Sequence, residues 1–228
     1  MVIVTDEFES QLDPLTVKDM EAVWKCIVEL GGFGFFNGGR LAGASQPHKH
    51  MQFIPVPLVP GAPYDLPIET ILSSTSSTTG TLSPSHTPSP TSSPINPLQS
   101  GHLDITTHPY LPFYNLFATI PESLFSSSDL PSMLHKTYLE MLRVAEPVYE
   151  EHKITQPYCF NMLVTKRWLL LVPRSKECID DTTISINSMG FAGTLFVKSA
   201  EHLEIVKTIG PMGVLKALAL PSPSISKL

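Results

Sequence analysis

Two imidazoles and a carboxamide alternate with other side chains in the stretch His48-Lys49-His50-Met51-Gln52-Phe53. Read as an extended strand, this places His48, His50 and Gln52 on one face, about 6.5–7 Å from one to the next, and Lys49, Met51 and Phe53 on the other. Neutral imidazole is a good nucleophile toward phosphorus near pH 7, provided a neighbouring group fixes which ring nitrogen keeps its lone pair. The Gln52 carboxamide can donate a hydrogen bond to a phosphate oxygen without adding a titratable charge. On the pattern alone, two other readings stay open. A His-x-His pair can chelate zinc, although no His or Cys cluster supplies the remaining ligands at a suitable spacing. The same residues would also suit a polar strand edge with no chemical role.

The residues ahead of this strand fit the phosphorus reading. Asn37-Gly38-Gly39 allows close backbone approach to a ligand, and Gly43-Ala44-Ser45-Gln46 brings small side chains, a hydroxyl and successive N–H groups that can cup an anion. Stabilising a transferring phosphoryl group is mainly electrostatic work of this kind.

These groups need elements to hold them. Residues 2–4 read as a strand that must find a partner, either downstream or in a larger domain. The spacing predicts a helix over 16–30, with Thr16 and Asp19 as a capping box, a buried stripe of Val17, Met20, Trp24, Ile27 and Val28, and a stop at Gly31-Gly32. Strands are expected over 33–37, 48–56 and 113–120. A helix opens at Asp129-Leu130-Pro131 and is expected to end before Pro147. A hairpin joins 158–165 to 168–172. Further strands are predicted over 184–187 and 193–198, and helices over 199–208 and 211–218. Strands joined by hairpins with helices beside them give an α+β class with a mostly antiparallel sheet. Residues 72–101 are Ser, Thr and Pro-rich, and 73–100 carry no Asp, Glu, Lys or Arg. They read as a disordered insertion between an N-terminal part, 1–71, and a C-terminal part, 102–228.

Composition narrows the class. With 228 residues, 42% of them apolar and a net charge of −6, the chain can bury a core and lacks the overall basic balance of a nucleic-acid binder. Cys26, Cys159 and Cys178 form no CxxC pair, which favours a reducing compartment, the cytoplasm with the nucleus as a second setting. No secretory signal or membrane span is apparent. His86, His102, His108, His135, His152 and His202 are read as surface or loop residues.

Longer strings carry more information. Phe35-Phe36-Asn37-Gly38-Gly39, continuing through Gly43-Ala44-Ser45-Gln46-Pro47-His48-Lys49-His50-Met51-Gln52, closely resembles the active-site segment of ATP adenylyltransferase, also called diadenosine tetraphosphate phosphorylase, of the histidine-triad superfamily. Galactose-1-phosphate uridylyltransferases carry a similar H-x-H-x-Q. Tyr158 to Asn161 with Lys166 to Ser175, Ile186 to Lys198, and the opening Val4 to Gln11 resemble further parts of the same family, in the same order.

The resemblance implies a histidine-triad-like sheet with flanking helices. It also implies reversible phosphorolysis of diadenosine tetraphosphate to ATP and ADP. His50 would attack the α-phosphorus and hold AMP covalently until phosphate takes it. His48 would orient the site. Asn37, Gly43, Ala44, Ser45, Gln46 and Gln52 match one set of nucleotide contacts, and Asn187, Ser188, Met189, Thr194 and Lys198 match a second. The partners would be nucleotides and phosphate, with no cofactor or protein-bound metal, and magnesium only as carried by the nucleotide. Family members begin well upstream, with further strands and a phosphate-contacting lysine. By this comparison the chain lacks the N-terminal part of the family domain, which leaves a weakly catalytic nucleotide-binding protein as one alternative. A transferase acting on sugar nucleotides is another.

Overall fold

Thr16 starts helix α1 (Val17–Leu30) by the expected box: its Oγ1 accepts the Asp19 N–H at 3.3 Å, and the Asp19 carboxylate accepts the Thr16 N–H at 2.7 Å. Met20, Val23, Trp24 and Ile27 are its buried stripe. Val28, expected on that stripe, is instead 50% exposed. The helix is rotated so that Val23 lies over Gly34, where any added Cβ would collide with it. The computed structural model describes residues 1–73, 101–179 and 182–223; most of the Ser/Thr/Pro stretch, and His86 with it, lies outside the described residues.

Six strands, β1 (Val2–Val4), β2 (Gly32–Gly38), β3 (His50–Pro55), β4 (Leu116–Thr119), β5 (Phe160–Val164) and β6 (Trp168–Pro173), form one sheet in the order β1-β3-β2-β5-β6-β4. Every pairing is antiparallel, so the α+β class holds. The N-terminal strand finds its partner downstream, Val4 opposite His50. The two parts of the chain meet at the centre, where β2 runs against β5 from Gly34↔Val164 to Gly38↔Phe160. Side-chain alternation then gives two apolar layers. Phe36, Phe53, Met162 and Leu171 pack with α1 and with α3 (Leu130–Glu151). Phe33, Phe35, Leu163, Leu170 and Val172 face the opposite way, toward α4 (Ser188–Ala192) and α6 (Pro211–Leu218). Helix α5 (Ala200–Ile209) packs on α6, and the short α2 (Glu69–Leu72) precedes residue 73. Among the described residues no helix is long and apolar enough to cross a membrane.

Three expectations change. The strands predicted over 184–187 and 193–198 are absent, and the residues between them form α4. Asn187 caps that helix by accepting the Met189 N–H at 3.0 Å, and Gly193 ends it at φ +103. Helix α3 also runs past Pro147 to Glu151. Losing one helical N–H and straining the turn costs about 3 kcal/mol. Burying Val148 and Tyr149, 7% and 0% exposed, returns roughly as much. Finally, His108 is in a loop but not at the surface: it is 7% exposed, its N–H donates to Asn115 Oδ1, and its ring lies beside Phe117.

Candidate active site

Strand β3 begins at His50, two residues later than the expected start. Residues 47–49 pair instead with the chain around Ser10: the Gln11 N–H donates to Pro47 O at 2.8 Å, the Lys49 N–H donates to Glu9 O at 2.8 Å, and Ser10 bridges His48. The His48 ring turns toward the N-terminal segment. Its Nε2 lies 3.0 Å from Thr5 Oγ1 and 3.2 Å from Glu7 O, and the ring packs against Phe8. Glu7 O can only accept, so Nε2 is the protonated nitrogen of His48. Gln52 is half-buried in mid-strand, between Val2 and Phe35.

His50 keeps the geometry that matters for nucleophilic attack. Its Nδ1 lies 2.9 Å from the His48 carbonyl oxygen. A carbonyl accepts only, so Nδ1 carries the proton and the Nε2 lone pair is directed outward. No bond to that Nε2 occurs among the described residues, and the atom is not sealed from solvent. The residue is 8% exposed. The backbone carbonyl of residue 48 thus holds the His50 ring, while the His48 ring is held by Thr5 and Glu7.

A buried polar network extends from this strand. Gln11, 4% exposed, accepts the His50 N–H at 2.9 Å and donates to Asn37 O at 2.8 Å. The Asn37 Oδ1 accepts from the Ser188 N–H at 3.0 Å and from Asn161 Nδ2 at 2.9 Å. Asn161 Nδ2 also lies 2.9 Å from Ala42 O, tying in the 3₁₀ turn Arg40–Ala42 that precedes Gly43. Arg174, with no exposed surface, donates to Asn161 Oδ1 at 2.5 Å and to Ile186 O at 2.8 Å, and its guanidinium lies over Phe191. Burial pulls its pKa down to about 10. On the other side of the strand Lys49 pairs with Glu9 and, at 3.3 Å, with Asp19. Burial alone would lower its pKa, but these carboxylates outweigh it and raise it.

The sheet thus brings together Asn37, Gly43, Asn187, Ser188 and Met189, with His50 joined through Gln11. A Cβ on Gly43 would sit 2.9 Å from Asn187 Cβ. Gly43, Asn187 and Thr194 line one small cleft of about 110 Å³. Ala44 is half-buried beside it, while Ser45, Gln46 and Lys198 are exposed. Larger hollows lie elsewhere among the described residues. One, of about 870 Å³, is lined by Tyr64, His108, Phe117, Arg167 and Trp168; one, of about 300 Å³, lies between Ile27 and Lys166; and one, of about 260 Å³, lies between α3 and Gln11 to Pro14. None of the three is lined by His50, and the site is marked by its hydrogen-bonded groups rather than by volume. No cluster of three or more His, Cys, Asp or Glu side chains suited to a metal occurs among the described residues.

Gln11, Asn161 and Arg174 had no signal in spacing. They fall inside the strings that carry the resemblance, but a polar residue destined for burial looks the same in sequence as one destined for the surface.

Residues 1–74 match the Ap4A phosphorylase N-terminal domain, and residues 109–221 match the ATP adenylyltransferase C-terminal domain. Protein APA1 of Saccharomyces cerevisiae is 26% identical over 219 residues, 88% of this chain and 58% of its own length. Diadenosine 5',5'''-P1,P4-tetraphosphate phosphorylase 2 of the same yeast is 27% identical over 218 residues, 89% of this chain and 59% of its own. The chain therefore spans less than two thirds of these curated relatives. The crystal structure of yeast Ap4A phosphorylase Apa2 in complex with Ap4A superposes with a TM-score of 0.69 at 22% identity, covering 98% of this chain and 70% of that one. The complex of Apa2 with AMP gives 0.70 at 23%, over 99% and 70%. These structural likenesses establish the shared fold. With both halves matched in order across 1–74 and 109–221, the chain belongs to the ATP adenylyltransferase and Ap4A phosphorylase family.

Proposed function

We propose that this chain transfers a nucleotidyl group through His50, with diadenosine tetraphosphate and phosphate as substrates and ATP and ADP as products. The observation that carries the reading is the His50 ring itself: Nδ1 is held by the His48 carbonyl, and Nε2 is left with its lone pair. In the first step Nε2 bonds the α-phosphorus, the bond from that phosphorus to the bridging oxygen breaks, and ATP leaves with the oxygen's electron pair. In the second step an oxygen of inorganic phosphate bonds the same phosphorus, the N–P bond breaks, ADP departs, and Nε2 recovers its lone pair. Fixing the tautomer in advance removes one reorganisation from each step. The Gly43, Asn187 and Thr194 cleft beside the Asn37–Ser188 contact supplies small side chains for close approach of the nucleotide. Support comes also from the similar proteins: a yeast relative is named as a tetraphosphate phosphorylase, and yeast Ap4A phosphorylase Apa2 was crystallised with Ap4A and with AMP.

The test is incubation with adenine-labelled diadenosine tetraphosphate followed by denaturation. Wild type is expected to retain acid-labile AMP and His50→Ala none. Nucleotide binding without label in wild type overturns the covalent reading, and faster phosphorolysis of a UDP-sugar overturns the substrate.

A further inference from the structure

Strands β2 and β3 form an antiparallel ladder from Gly32↔Pro55 to Phe35↔Gln52 and then part. Strand β2 stays paired on its other side with β5 as far as Gly38. Continued past Phe36 and Met51, the same register would set Asn37 opposite His50, the proposed nucleotide contact opposite the proposed nucleophile. The Gln11 side chain stands between them. Its Oε1 accepts the His50 N–H at 2.9 Å, its Nε2 donates to Asn37 O at 2.8 Å, and its own N–H is anchored to Pro47 O at 2.8 Å. A carboxamide offers an acceptor and a donor side by side, as a missing strand would, at any pH and without adding a charge. It replaces the ladder while holding the two strands further apart than the roughly 4.8 Å of direct pairing.

We infer that Gln11 is a positioning residue for the transfer reaction: it keeps the fork between β2 and β3 open at a fixed width and so sets His50 relative to the Asn37–Ser188 contact. This rests on the proposed nucleotidyl transfer, because a fixed fork matters only if His50 and the nucleotide must meet there. Gln11 touches no reacting atom. Its effect passes through the His50 backbone, whose preceding carbonyl, at His48, holds the ring.

Gln11→Met keeps the bulk and removes both bonds. The single-turnover rate of AMP capture is expected to fall at least about tenfold while AMP affinity stays within about twofold, since misplacement, not loss of contacts, is the defect. Gln11→Glu gives a sharper readout. When protonated, its carboxyl can still donate to Asn37 O and accept from the His50 N–H; when ionised, it faces the Asn37 carbonyl with a negative charge. The variant-to-wild-type rate ratio is expected to be highest at low pH and to fall as pH rises. Glu9, Asp13, His48, Lys49, His50, Tyr138, Arg143, Glu146 and Tyr158 surround the position in both proteins, so the ratio isolates the pH dependence that the new carboxyl adds. A ratio independent of pH, or Gln11→Met capturing AMP as fast as wild type, overturns the assignment. Equal losses in rate and AMP affinity overturn it too, since they mark general loosening of the site. Label absent from wild type refutes the proposed function instead. In that case amide exchange, which needs no turnover, still decides on Gln11: His50 N–H exchange at least about tenfold faster in Gln11→Met, with Leu163 and Leu170 unchanged, is expected, and unchanged exchange at His50 refutes it.

Discussion

Gly43→Ala should slow AMP transfer far more than it destabilises the protein. Two costs are built into this position. Gly43 has φ +82, where an L side chain costs about 1–2 kcal/mol. The added Cβ would also lie 2.9 Å from Asn187 Cβ and 3.1 Å from Ile186 O, against 3.4–4 Å for ordinary contact. Relief requires the Gly43 loop and the Asn187 segment to separate by about half an ångström. A displacement of 1 Å in a positioned site can cost 10²-fold, so roughly tenfold is expected here. Gly61 supplies the control: it has φ +78 with nothing within 4 Å. Gly61→Ala therefore carries the backbone cost alone. Both variants should lower the Tm by a few degrees, about 2–4 °C for each kcal/mol in a chain of this size. Only Gly43→Ala should also lose about tenfold in single-turnover label transfer from adenine-labelled diadenosine tetraphosphate. Equal transfer rates in the two alanine variants would refute the idea that the Gly43 loop and the Asn187 segment form one site.

Thr16→Ala removes the capping box and should cost about 1 kcal/mol in urea unfolding, with label transfer per folded molecule unchanged. Glu69→Gln tests the anchor at the other end of the sheet. Burial pushes the Glu69 carboxyl up, but bonds from Arg167, the Leu66 N–H and Trp168, with the Arg167 charge, outweigh it and hold the pKa below the usual value. A depressed carboxylate pKa adds stability that is present above the unfolded value, near 4.5, and is lost as pH falls through the lower folded value. Glu69→Gln should thus cost about 1–3 kcal/mol near pH 7, by leaving donors unpaired, and the gap to wild type should narrow as pH falls through the lowered folded pKa of Glu69. A gap that is constant with pH would show that the charge is immaterial.

Much of the framework was legible because its signals are local. Thr16 with Asp19 marks a helix start through bonds made within three residues, and the 158–172 hairpin alternates around a Lys166-Arg167 turn. The errors have a common cause in distant partners. Residues 184–187 and 193–198 carry β-branched and aromatic side chains that suit a strand, but Asn187 caps a helix whose first N–H bonds Asn37, 151 residues away. The spacing of His48 and His50 likewise gave no sign that Glu9 and Gln11 would take the backbone partners of residues 47–49, or that Thr5 and Glu7 would hold the His48 ring. Pro147 reads as a stop until the burial of Val148 and Tyr149 is known. Periodicity shows which face a side chain takes; it does not show what stands opposite.

The candidate site lies where the sheet stops being regular, and such a break suits the nucleotidyl transfer proposed above. A complete ladder spends every backbone N–H and C=O on neighbouring strands and leaves no polar group for a ligand. Between Asn37 and His50 the ladder is interrupted, and side chains take over its bonds: Gln11 at the gap, Asn161 toward the Gly43 loop, Ser188 against Asn37. Those substitutes fix the strands at a spacing that direct pairing would close. They also release the His48 carbonyl to hold the His50 ring rather than a strand partner. Behind them Arg174 gives a buried cation to carbonyl oxygens and to Asn161, at a cost visible in its lowered pKa. Expensive buried polar groups concentrated in one break of an otherwise continuous sheet fit the positioned nucleophile proposed for His50.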